Sequence, residues 1–77
     1  MRIDLTQMQP GETGVVKDIL GGRGMVLKLQ SMGLRPGKTI IKVSSHFWAG
    51  PQTIEIHNVQ IAVGFGMAKR IYIEVQR

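Results

Sequence analysis

A chain of 77 residues with no cysteine, 43% apolar residues and a net charge of +5 allows a single domain over 1–77 and excludes disulfides and thiolate-held zinc. A domain of this size buries only about 60% of the surface its unfolded chain exposes, so its core is thin. Met1–Thr6 carries an acid and no apolar run, and the longest nearly apolar stretch, 61–68, contains two glycines. Neither reads as a secretory signal or a membrane span, so a soluble, cytoplasmic domain is expected. The excess of ten basic over five acidic side chains fits plain solubility, or an acidic partner such as nucleic acid, an anionic membrane surface or an acidic protein face.

Leu5 and Met8 bracket a short turn ahead of Pro10-Gly11, a pair suited to the centre of a type II turn. The run Thr13–Leu20 reads as a first strand, and the three-residue step from Val16 to Ile19 predicts a bulge or an early end. One helix follows within 21–33. Gly21, Gly22 and Gly24 break what precedes it, and Met25, Leu29 and Met32 recur at i, i+4 and i+7 on one face. Gly33 suits the left-handed position past the helix end, with Leu34 folding back toward Leu29 and Pro36 preventing resumption.

Lys38–Ser44 reads as the second strand after another Pro-Gly turn, and the loop 45–51 carries Phe47 and Trp48. Gln52–His57 alternates cleanly with Ile54 and Ile56 inward, and Asn58 marks a tight turn. Val59, Ile61 and Val63 are expected inside on the next strand, with Gln60 and Ala62 facing the other way. Residues 64–68 read as a bend or single helical turn, and Ile71–Val75 as the last strand. About five strands with one short helix after the first predict a mainly β domain, a small SH3-like barrel plugged by that helix.

Chemistry-bearing motifs are scarce. Residues 33–39 end like a phosphate-binding loop, but only three residues separate the glycines and a strand follows, so a helix stop and a Pro-Gly turn account for them. The glycines at 21–24 lack the dinucleotide fingerprint, since Leu27 stands where its third glycine belongs. His46 and His57 are the weak metal candidates, far apart and without ligand spacing toward any carboxylate. No catalytic constellation is present, so no enzyme is expected. The candidates for partner binding are Arg23, Lys28 and Arg35 on the helix segment, with Lys38 and Lys42 nearby, and the Phe47-Trp48 loop. A loop Trp serves equally as an interface anchor or as a lid on an open barrel end, and a basic helix face is by default merely solvated.

The leading Leu5, Pro10-Gly11-Glu12, the Val15-Val16 strand, Gly21-Gly22-x-Gly24, Leu29 and Met32-Gly33-Leu34-x-Pro36-Gly37 together resemble the FeoA family, small partners of the ferrous-iron transporter FeoB. Gly50-Pro51, Val59-x-Ile61-Ala62-Val63-Gly64 and Ala68-x-x-Ile71-x-Ile73 extend the resemblance from Leu5 to Val75. Asn58 stands where the family often has glycine, and Phe47-Trp48 is more aromatic than its pattern.

The resemblance implies a non-enzymatic SH3-like barrel that docks in the cytoplasm on the GTP-binding part of a FeoB-like transporter. It also implies transition-metal binding, of iron or zinc, for which this sequence shows no ligand set. A stand-alone form is expected rather than the similar domain that ends metal-dependent repressors, because the chain starts at Met1 without DNA-binding helices. Self-association through exposed sheet edges is open. The alternative from residues alone is a small basic barrel that stacks single-stranded nucleic acid on Phe47 and Trp48.

Overall fold

The computed structural model describes residues 1–45 and 50–77, and among these it has six antiparallel strands and two α-helices. The strands are β1 (Arg2–Asp4), β2 (Thr13–Ile19), β3 (Thr39–Ser45), β4 (Gln52–Ile56), β5 (Val59–Val63) and β6 (Ile71–Val75). Helix α1 (Arg23–Ser31) follows β2, the single turn α2 (Phe65–Ala68) precedes β6, and a 3-10 turn occupies Leu5–Gln7. The strands form one sheet in the order β1-β6-β2-β3-β4-β5. Side chains from all six strands enter one core cluster: Ile3, Val16, Ile40, Ile54, Ile56, Val63, Ile71, Ile73 and Val75. A sheet whose first and last strands share a core must curl around it, and the expected mainly β, SH3-like class is what is found.

The strand count is six rather than about five, because β1 is added. Its Arg2, Ile3 and Asp4 pair with Glu74, Ile73 and Tyr72, a contact across almost the whole chain. The bulge expected after Val16 is present: β2 slips against β6 between Val16 and Asp18. Both Pro-Gly pairs form turns, with Gly11 at φ +86° and Gly37 at φ +92°. The Glu12 N–H donates to the Gln9 carbonyl (2.9 Å) and the Lys38 N–H to that of Arg35 (3.1 Å). A positive φ at the third position is what a type II turn demands of glycine.

Val59 departs from expectation. It shares a side with Ile61 and the buried Val63, yet it is 59% exposed. It lies on the outer strand of the sheet, where no element among the described residues covers it.

Lys42 reverses its expected role. Counted among the surface bases, it is completely buried. It follows Ile40 on the inward face of β3, and its Nζ donates to the carbonyls of Leu5 (2.8 Å) and Met8 (3.2 Å). Those carbonyls close the 3-10 turn, which Asp4 caps at its start by accepting from the Thr6 N–H (2.8 Å). Lys42 also exchanges main-chain bonds with this region, donating to Glu12 (2.9 Å) and accepting from Gly11 (2.7 Å). Burial pushes its ammonium pKa down, and the charges of Asp4 and Glu12 offset part of that shift.

Candidate functional site

Helix α1 is placed by its ends and its apolar face. Leu29 is fully buried, and Met25 and Met32 pack half-buried against the core; burial of a leucine contributes about 1.5–3 kcal/mol. The C-terminus closes in a Schellman arrangement. Gly33, at φ +98°, donates to Gln30 (3.0 Å), and Leu34 donates to Leu29 (3.0 Å). Leu34, the residue that folds back, is itself fully buried. These contacts fix the rotation of the helix.

At 3.6 residues per turn, Leu27 lies opposite the buried face, with Arg23 about 40° to one side and Lys28 about 100° to the other. All three are exposed, Leu27 at 54%. Arg35 follows in the Pro-Gly turn, also exposed, its Nε donating to the Gln30 carbonyl (3.2 Å). The three basic residues expected to bind a partner are therefore all presented on α1 and its exit.

Sequence reading missed Arg70. Strands β2 and β6 pair through Ile19 and Ile71, and the Leu20 N–H donates to the Arg70 carbonyl (2.8 Å). A Cβ built on Gly21 would stand 3.8 Å from Cδ of Arg70. The exposed Arg70 thus sits at the start of α1, beside the half-exposed Leu20. The one signal for this in the sequence was the antiparallel match of the two strands.

Most of the acidic side chains are already engaged away from this surface. Among the described residues, Asp18 pairs with Arg2 (3.2 Å) and Glu74 with the N-terminal ammonium (2.5 Å), while Glu12 pairs with Arg77 (2.8 Å). Asp4 is used in capping its turn. Arg23, Lys28, Arg35 and Arg70 have no acidic partner among the described residues. Lys17, Lys38 and Lys69, which lie off the helix, likewise make no ion pair among the described residues, so unpaired positive charge extends beyond α1.

Of the two metal candidates, only His57 lies among the described residues. His57 is exposed at the tip of the β4–β5 hairpin, in the left-handed region at φ +51°. His46, Phe47 and Trp48 lie outside the described residues. No group of three His, Asp or Glu side chains with metal-holding geometry occurs among the described residues, so these residues do not supply the donor set that a transition metal requires. A groove of 480 Å³ on the outside of β2 is lined by Glu12 and Glu74, but both carboxylates are already held by cations.

A family model, the FeoA domain, matches residues 3–75. The chain belongs to the FeoA family. A crystal structure described as iron uptake regulatory protein (FeoA) is 41% identical, covers 99% of both chains and superposes with a TM-score of 0.88. The solution structure of iron(II) transport protein A from Clostridium thermocellum is 28% identical with a TM-score of 0.84, covering 95% of this chain and 45% of that one. A manganese-dependent transcriptional repressor shares the fold at 20% identity and a TM-score of 0.88; this chain spans 42% of its length. No curated protein matches the chain. The family is one of small accessory or regulatory domains. No helix among the described residues is long and apolar enough to cross a membrane.

Proposed function

We propose that this FeoA-family protein is a non-enzymatic accessory of ferrous-iron uptake, acting in the cytoplasm by docking on the GTP-binding part of a FeoB-like transporter. The observation that carries the reading is the family match over 3–75, joined to 41% identity with an iron uptake regulatory protein over nearly all of both chains. The geometry supplies the means. A helix rigidly seated by Leu29 and Leu34 presents Leu27 between cations that have no acidic partner in the described part of the chain. An apolar centre with a charged rim is how compact protein interfaces are built, and the charge favours an acidic face on the transporter.

The test is a pull-down of the purified protein against the transporter's cytoplasmic part, with and without guanine nucleotide, alongside an Arg23→Glu/Lys28→Glu variant. Binding that the variant loses supports both the adaptor role and the α1 face. Binding that the variant keeps supports the adaptor and moves the interface, with the Phe47-Trp48 loop next in line. Absence of binding in every nucleotide state overturns the docking reading. Single-stranded nucleic acid is then the next ligand to try, with a steep loss of affinity in salt as its mark.

A further inference from the structure

Strand β5 forms one edge of the sheet, and its hairpin decides which of its main-chain groups are in use. His57 and Asn58 both have positive φ, +51° and +65°, the signature of a two-residue type I′ turn. Ile56 and Val59 therefore close the hairpin as a hydrogen-bonded pair, and Val59, Ile61 and Val63 direct their N–H and C=O groups at β4. Gln60 and Ala62 direct theirs away from it. Neither has a main-chain partner there among the described residues, and both are exposed. Two donors and two acceptors stand in a row at strand spacing.

Natural edges of this kind are blunted by charge, proline, a bulge or brevity. The other edge, β1, is: it has three residues, two of them charged. Val59–Val63 has five, none charged and none proline, and it pairs with β4 without a register shift. Val59 supplies a second, independent observation. It stands in the inward row with Ile61 and Val63 but is 59% exposed, as a core-facing residue is when the sheet stops one strand short.

We propose that β5 pairs antiparallel with β5 of a second copy of this chain, about a two-fold axis through Ile61. Gln60 then exchanges both N–H···O bonds with Ala62 of the second copy, and Ala62 does the same with its Gln60, four bonds in all. Ile61 meets its own copy, and the exposed Val59 comes beside Val63 of the other. The strand is self-complementary as an isologous interface requires: amide meets methyl, valine meets valine, and no charge opposes its like. Beside β5, the one charged residue in register is Glu55, opposite Gln60; the unpaired cations of α1 stand on another element. This symmetry selects a second copy over an unrelated strand.

The test combines sedimentation over a concentration series with amide exchange. The mass of the wild-type chain rises from 8.5 kDa toward twice that, and the Gln60 and Ala62 amides become more protected as it does. Ala62→Lys puts two ammonium groups on backbones roughly 7–8 Å apart across the axis and raises the dimer dissociation constant about tenfold or more. Gln76→Lys adds the same charge at an exposed position far from β5 in sequence and leaves the mass profile unchanged. Gln60→Pro removes an outward donor without costing a bond to β4, and it too weakens the dimer. A monomer at every concentration overturns the proposal. So does association that folded Ala62→Lys and Gln60→Pro variants retain. Protection of Gln60 and Ala62 that arises in the monomer only on adding the transporter's cytoplasmic part also overturns it, and gives the edge to that partner.

Discussion

Two regions of this small protein use basic residues in opposite ways. Around the 3-10 turn, Lys42 and Arg77 are consumed by the fold. Lys42 Nζ holds the Leu5 and Met8 carbonyls in the core, and Arg77 grips both oxygens of Glu12 (2.8 Å each) while reaching the Gln7 carbonyl (2.8 Å). Along α1, Arg23 and Lys28 are exposed and unpaired among the described residues, and the helix is seated by its apolar face and its Schellman end. Charge stabilises the first region and decorates the second. Residue type alone does not distinguish a structural cation from one available to a partner; burial and the bonds already made do.

The comparison predicts a graded series of stability effects. The largest belongs to Leu29→Ala, which removes the apolar anchor of α1 from a fully buried site and costs about 2–5 kcal/mol by lost transfer energy and cavity formation. Urea denaturation should show a lower midpoint at unchanged slope. Next is Lys42→Met, which keeps the apolar stem but leaves the Met8 carbonyl without its donor and Leu5 with only a long main-chain bond of 3.3 Å. A cost of about 2 kcal/mol is expected for such buried, poorly satisfied groups, together with faster amide exchange in residues 5–12. A loss below about 0.5 kcal/mol, the range of ordinary surface changes, would place Lys42 with the decorative charges and break the contrast.

The Glu12–Arg77 pair sharpens the same contrast through pH. The Arg77 guanidinium, with the Gln9 N–H, holds the Glu12 carboxyl well below its ordinary value of 4.5, at about 2. The unfolded chain then binds more protons than the folded one between these values, so stability rises with pH there. The contribution is fully present above about pH 4.5 and is lost as pH falls through about 2. Urea midpoints across that window should slope less steeply for Glu12→Gln. Some slope persists, because the N-terminal ammonium also lowers the Glu74 pKa. An unchanged slope would show that the pair does not contribute in solution.

Much of this architecture was legible from local chemistry. The Schellman end of α1, both type II turns and the bulge after Val16 each rest on a glycine, proline or broken alternation within a few residues. The features that escaped depend on distant partners. β1 contains a single apolar residue, Ile3, and exists because β6 lies alongside it. Lys42 occupies an inward position that the alternation from Ile40 implied, but its polarity argued for the surface until the carbonyls of the 3-10 turn were in place. Val59 lies on the side that the alternation implies; its exposure follows from its place at the sheet's edge, which no local pattern records. Of the candidate site, Arg23, Lys28 and Arg35 were readable as helix-segment bases, whereas Arg70 joins them only through the pairing of β2 with β6.

The smallest stability effect is the most informative about function. Reversing the charge of Arg23 and Lys28 removes no contact that the fold uses, since both are exposed and without ion-pair partners among the described residues. The double variant Arg23→Glu/Lys28→Glu should unfold within about 0.5 kcal/mol of wild type. Glutamate at position 23 adds a negative charge in the first turn of the helix, where the macrodipole favours it, and at 28 in the last turn, where it does not. These terms oppose each other, so near-neutrality is expected rather than fortuitous. Stability matched to wild type alongside lost binding would assign the two cations to the partner. A loss of 2 kcal/mol or more would instead show that α1 is held by its charges, and binding data from this variant would then report on folding.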